Sequence, residues 1–243
     1  MSQKYLGGFI TKSPVAPTSS AASGMWTLDQ AMQLQKQGLW PFLPPTVIGQ
    51  AYGGGFYAGQ IGVSSVATHY IIVGPVSSAQ NSSIQYKNAN TATTGADSVI
   101  NGPQNTVDMV ADGSSTVYPA AHFCNDLVIG GFSDWYMPAK NELEVCYYNL
   151  KPTTMANSSF GTSGVNANAV PARASNYTSG TPAQTSATDF RSTGAEDFAT
   201  AGYWSSTESS ATTSWYQYFN AGGQYEPLKN YSRSVRAIRR IAV

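Results

Sequence analysis

Large apolar side chains reach this chain only in short bursts, and the intervals between the bursts are long, polar and rich in glycine. Residues 77–116 and 151–201 consist mainly of Asn, Ser, Thr and Gly, with few large apolar positions and no clear period. Inside a compact domain, stretches of that length read as loops, and loops so long carry function or cover something. The bursts between them therefore set the expected fold.

The bursts alternate in type. Ile48–Tyr57 reads as a strand entering a glycine-rich turn, and His69–Gly74 is a short run of strong β-formers suited to a central strand. In Pro119–Ile129 the residues Ala120, Phe123, Cys124, Leu127 and Val128 repeat at helical spacing, with Pro119 at the first turn and Gly130-Gly131 at the end. A second helix is expected over Ala139–Leu150, with Leu143, Cys146, Tyr147 and Leu150 as its apolar stripe. Ser214–Phe219 is expected to pair with Gln224–Leu228 across Asn220–Gly223, and Ser234–Val243 to form a last strand. Ahead of all this, residues 1–47 form a separate stretch. Its Ser13–Gly24 segment reads as extended linker, and a short helix follows, capped by Thr27 with Gln30 and ended by Gly38. Leu28, Ala31, Met32 and Gln35 fall on one face of that helix, and Trp26, Leu39, Trp40 and Phe42 make an apolar cluster too small to bury itself, so it is expected to dock onto the main domain, a second copy or a larger particle, the alternative being a staple for the domain's termini.

Charge narrows the function. Charged residues make up 11% of the chain, against about 25% in an average soluble domain, and 13 basic residues balance 13 acidic ones. No basic surplus is present to hold a phosphate backbone, so nucleic acid is not expected as a partner. The surface must be built from amides, hydroxyls, glycine and 15 tyrosines, a mixture suited to adaptable hydrogen bonding and stacking. The two cysteines, Cys124 and Cys146, are too few for a disulfide framework or a zinc site and lie on apolar stripes, so buried thiols are expected, a single disulfide being the alternative. Met1–Gly8 has no apolar signal core and no run of 18 apolar residues occurs, so neither a cleaved leader nor a membrane span is expected. With two histidines and no evident nucleophile–base or carboxylate pair, neither catalysis nor a cofactor is expected. Glu142, Glu144 and Glu208 have helix-surface or motif explanations, and His122 reads as a surface or hydrogen-bonded histidine. Arg233, Arg236, Arg239 and Arg240 crowd the last strand, where ion pairs and bonds to carbonyls account for them.

Four elements carry a resemblance. Gly130-Gly131-Phe132-Ser133-Asp134-Trp135-Tyr136-Met137-Pro138 through Glu142-Leu143, then Tyr203-Trp204-Ser205-Ser206-Thr207-Glu208, then Ser234-Val235-Arg236-Ala237-Ile238-Arg239, preceded by Ile48 to Phe56, resemble the ordered motifs of the family that includes the C-terminal domain of bacterial collagen-like adhesins. The resemblance covers residues 48–243. It implies an α+β fold similar to C-type lectins and to the formylglycine-generating-enzyme group: two helices flanking small antiparallel sheets, with long loops presenting a ligand surface. Gly8–Pro14, Ser23–Gln30 and Gly38–Pro41 are similar to the short module at the head of many phage virion and tail proteins, which implies an attachment segment over 1–47.

The motif residues read as scaffold. Asp134 is expected to satisfy backbone donors near the second helix, Trp135 and Trp204 to be core plates, and Ser205, Ser206 and Thr207 to bond buried turns, with Glu208 and Arg236 completing the framework. The ligand surface is expected where the motif is loose: Ser209, Thr212, Trp215, Tyr216, Tyr218, Asn220, Gln224, Tyr225, Lys229 and Tyr231. Strand alternation puts Trp215, Gln217 and Phe219 on one face and Tyr216 and Tyr218 on the other. The lectin calcium–sugar triplets are absent, and no metal site is identified. The expected protein is a phage virion component of the tail fibre or baseplate that recognises a host-surface glycan or protein. It would attach to other virion proteins through residues 1–47 and form a homo-oligomer, a trimer being favoured. A purely structural role as capsid decoration or fibre joint, and a bacterial surface adhesin, are the alternatives.

Overall fold

The computed structural model describes residues 26–36 and 44–243. The chain divides into two compact units, 1–44 and 45–243. In the first, helix α1 spans Leu28–Lys36. Thr27 N donates to Gln30 Oε1 (3.0 Å) and Gln30 N donates to Thr27 Oγ1 (3.2 Å), the reciprocal cap that the sequence predicts. Ala31 is half-buried and Met32 exposed. The linker, Gly38 and the cluster of Leu39, Trp40 and Phe42 lie outside the described residues.

The second unit is mostly sheet. Its strands are β1 (Ala51–Tyr52), β2 (Gly55–Val63), β3 (Val66–Val73), β4 (Gln80–Gln85), β5 (Gly202–Glu208), β6 (Ser214–Tyr218), β7 (Gln224–Tyr225), β8 (Ser232–Arg236) and β9 (Ile238–Ala242). Its helices are α2 (Val76–Ala79), α3 (Gly102–Asp112), α4 (Pro119–Asn125) and α5 (Lys140–Leu150). One sheet has the order β1-β2-β3-β9 and the other β4-β8-β5-β6-β7, the second being mixed because β5 and β8 run parallel. This corrects the expected α+β arrangement of two helices flanking small antiparallel sheets: the two sheets dominate and the helices are few and short.

Two local misreadings account for much of the difference. The run Ser234–Val243 is not one strand. It breaks at Ala237, whose N–H donates to Ala79 O (2.8 Å) and whose carbonyl accepts from Gly74 N (3.0 Å), and so feeds one strand into each sheet. Residues 77–116 are not mainly loop but contain β4 and α3. The first predicted helix is also shorter than expected. It ends at Asn125, and Ile129 bridges Phe132 across Gly130 (φ 63°) and Gly131 (φ 83°), a left-handed turn suited to glycine.

Two cores lie within this unit. α5 contributes Leu143, Cys146, Tyr147 and Leu150 to the first, with Ile71, Phe198, Tyr203 and Phe219. Tyr86, Met109, Tyr118, Cys124, Trp135 and Trp204 form the second. Both cysteines are free and buried, and burial raises both thiol pKa values. Trp135 and Trp204 are core plates as predicted, each donating its indole N–H, to Phe132 O (3.1 Å) and Ile84 O (3.0 Å). Ser205 Oγ donates to Trp215 O (2.9 Å) and Thr207 Oγ1 to Ser98 O (2.8 Å), while Ser206 Oγ accepts from Asn105 Nδ2 (3.1 Å).

Most charged groups inside the fold are ion-paired, while buried Lys151 donates to the Met155 (2.5 Å) and Pro182 (3.2 Å) carbonyls. Arg236 is wholly buried and donates to Glu196 Oε2 (2.7 Å) and Gly74 O (2.8 Å). Asp134 does not cap the second helix. It takes two bonds from Arg239, at 2.7 and 2.8 Å, a bidentate pair that ties the 130–138 segment to β9. His122 is bonded to Gly113 O at 2.8 Å.

Glu142 and Glu144 do not face solvent; both are wholly buried on α5. Glu142 accepts from Ala139 N (2.8 Å) and Tyr136 Oη (2.8 Å), with Arg240 at 3.7 Å. Burial dominates these bonds and raises its carboxyl pKa from 4.5 to about 7. The folded protein therefore holds this proton more tightly than the unfolded chain does. The resulting stabilisation is full below pH 4.5 and is lost as pH rises through about 7, about 3 kcal/mol in all. Glu142→Gln keeps an acceptor for Ala139 N and removes the titration. Urea midpoints at pH 4.5 and 7.5 are expected to converge in the variant relative to the parent; equal pH slopes in the two proteins would contradict this assignment.

Candidate recognition face

Most residues expected to bind lie on or beside the β6–β7 hairpin, but they divide among three environments. Register places Tyr216 between Trp204 on β5 and Tyr225 on β7. Tyr216 meets the buried Trp204 edge-on at 6.4 Å and stacks on Tyr225 with ring centres 5.5 Å apart, so an aromatic row runs from the core to the rim. Its outer end is open: Tyr225 is 39% exposed and Tyr231 49%. Arg233 on β8 lies 5.3 Å from the Tyr216 ring centre and 5.8 Å from that of Tyr231. Among the described residues Arg233 makes no ion pair, and its Nε is buried without a hydrogen-bond partner.

The other face of the hairpin carries Trp215 and Gln224. The Lys140 ammonium sits 3.6 Å from the Trp215 ring centre, and burial lowers its pKa against the opposing influence of Glu226. Gln224 accepts from Thr162 Oγ1 (3.1 Å) and donates to Gln217 Oε1 (2.9 Å), so its amide is held by the protein itself. Tyr218 and Asn220 are half-buried near the turn, where Asn220 O accepts from Thr153 Oγ1 (3.1 Å).

The third environment is the β5–β6 turn and the chain behind it, where Thr212 is exposed, Ser209 half-buried and Lys229 internal. Ser209 bonds Thr213 across the β5–β6 turn at 2.8 Å, and Thr212 O accepts from Lys229 N at 3.2 Å. Lys229 does not reach the surface: it is wholly buried, and its ammonium is bound by Glu208, Thr91 O (2.8 Å) and Ala211 O (2.8 Å). Burial lowers its pKa, with Glu208 opposing. The fold thus gathers Tyr216, Tyr225 and Tyr231 around Arg233, sets Trp215 and Gln224 on the opposite side, and spends Lys229 on the framework.

Sequence reasoning assigned Arg233 to ion pairing and missed Lys140. A signal existed for Arg233, because it precedes the closing motif and follows Tyr231 by two, the spacing of one strand face. Lys140 comes from a distant helix, and no local pattern links it to Trp215.

Arg233 can form two parallel bonds to a planar acceptor, while its tyrosine neighbours provide flat apolar area with hydroxyl rims. The arrangement holds no nucleophile–base pair and suits binding. Comparison with curated proteins found no match. Residues 81–239 match the family model described as the Lcl C-terminal domain, which leaves the Ile48–Phe56 element outside the matched region. That match covers well over half of the chain, and the chain belongs to the Lcl C-terminal domain family.

Proposed function

We propose that the chain is a surface recognition protein carried on the exterior of a phage particle, at the tail fibre or baseplate, and that it binds a glycan or protein receptor on the host. The observation that carries this reading is the aromatic row ending in exposed Tyr225, flanked by Arg233, which lies between Tyr216 and exposed Tyr231 and has no ion-pair partner among the described residues. Tyrosine and arginine dominate the energetic centres of recognition surfaces, because each gives large contact area with few rotatable bonds or a rigid set of donors. Family membership suggests an adhesin-like or surface-associated protein and supports a binding role. The phage carrier rests on the similarity of residues 1–47 to virion attachment segments, through which the chain would join other virion proteins, as a homotrimer. The protein is read as neither an enzyme nor a binder of nucleic acid or membrane. A bacterial surface adhesin is the second reading, favoured by the same family match.

Labelled full-length protein is expected to bind intact host cells saturably and to be displaced by unlabelled protein, and immunogold is expected to decorate purified particles. Gold on uninfected cells instead would favour the adhesin. Decorated particles with no cell binding would replace recognition by a structural role.

A further inference from the structure

We propose a second binding site, away from the hairpin, for a single neutral sugar ring. It is the cavity of about 280 Å³ beside the C-terminal half of α5, walled by Tyr148, Arg173, Ser175, Asn176, Tyr177 and Thr178. It does not rest on the hairpin reading.

The wall is built from inside. Glu144, wholly buried, accepts from Tyr177 Oη, from Arg173 Nη2 and from Asn166 Nδ2 (2.5 Å). A buried carboxylate is tolerated only with such a set of donors. Those same bonds fix Arg173 and Tyr177, two side chains of the cavity, before any ligand arrives. The Arg173 guanidinium carbon also lies over the Tyr148 ring, 3.9 Å from its centre. The rim is equally constrained: Asn176 Nδ2 donates to Ser159 O (3.2 Å) and Gly161 O (3.1 Å), Tyr177 N donates to Ser163 O (2.9 Å), and Thr181 N donates to Thr178 Oγ1 (3.1 Å).

The chemistry of the lining selects the ligand class. Arg173 is the one charged side chain in it, and Glu144 behind it cancels that charge. A free anion therefore gains little, whereas a neutral hydroxyl can still accept from the guanidinium. The half-buried Tyr148 ring offers apolar area to the C–H face of a ring, the buried Tyr177 ring backs it from 6.3 Å away, and Ser175 and Thr178 offer hydroxyls at the edge. The volume lies just below the range for ligand cavities, roughly 300–1,000 Å³, and so fits one ring rather than an extended chain. Affinity for so small a ligand should be on the order of millimolar.

Saturation-transfer difference NMR on the full chain tests this, with methyl glucoside, methyl galactoside, N-acetylglucosamine and glucuronate at equal concentration. At least one neutral sugar is expected to give signal and glucuronate at least threefold less. Ser175 and Ala174 are exposed residues of the lining. Ser175→Trp, and independently Ala174→Trp, should fill the cavity and cut the signal about tenfold without changing the melting temperature, while Tyr225→Ala/Tyr231→Ala leaves it intact. The proposal is overturned if no neutral sugar gives signal, if glucuronate equals or exceeds the neutral sugars, or if signal survives both tryptophan variants.

Discussion

Lys229→Met is expected to lower the unfolding free energy by about 3–5 kcal/mol at pH 7. The lysine is wholly buried, and its ammonium gathers Glu208, Thr91 O and Ala211 O, groups from two separate stretches of chain. Methionine fills much the same volume but donates no hydrogen bond. The variant therefore strands two carbonyls and a carboxylate whose side chain is only 10% exposed. Such a loss is a large part of the roughly 5–15 kcal/mol that holds a typical domain together. The carboxylate accounts for much of it, so Lys229→Met/Glu208→Gln should be more stable than Lys229→Met alone by more than 1 kcal/mol, a coupling that a double-mutant cycle in urea isolates. A single variant within 1 kcal/mol of the parent, or a double variant no better than the single, would contradict the buried pair.

Lys229 also shows where the sequence stops being informative. It stands in a polar stretch between strands, the setting of an ordinary surface lysine, and besides Glu208 its cage is made of two backbone carbonyls, which no side-chain pattern announces. Glu142 and Glu144 misled for a related reason: eight of the eleven residues of α5 are buried, so positions off the apolar stripe are interior too. α3 was illegible because its buried face consists of Gly102, Asn105, Thr106 and Met109, with one large apolar side chain among them. The mostly-sheet fold was missed through a break of one residue, Ala237, in a run whose Val235, Ile238 and Ile241 read as continuous. What was legible rested on local chemistry: the reciprocal cap at Thr27, the burial of both cysteines (though Leu127 and Val128 of the stripe predicted for Cys124 lie beyond its helix and Val128 is exposed), the core positions of Trp135 and Trp204, and the family motifs at 130–143, 203–208 and 234–239. At the candidate face, alternation along β6 correctly separated Trp215 from Tyr216, while the partners Arg233 and Lys140 came from other elements and needed the fold.

In the proposed function the stacked Tyr216 and Tyr225, with Arg233 and Tyr231 beside them, recognise the host surface. The most direct measurement of that recognition is the affinity of the full chain for intact host cells, by equilibrium titration, for the parent and for Tyr225→Ala/Arg233→Met. Removing one exposed ring and the unneutralised guanidinium from the centre of the face should cost about 3 kcal/mol, an affinity loss of about 100-fold. Lys140→Ala, on the opposite side of the hairpin, should stay within threefold of the parent. That pattern, with melting temperatures unchanged, is the result the account predicts. Parental affinity in Tyr225→Ala/Arg233→Met, or a loss in Lys140→Ala as large as in the face variant, would contradict it.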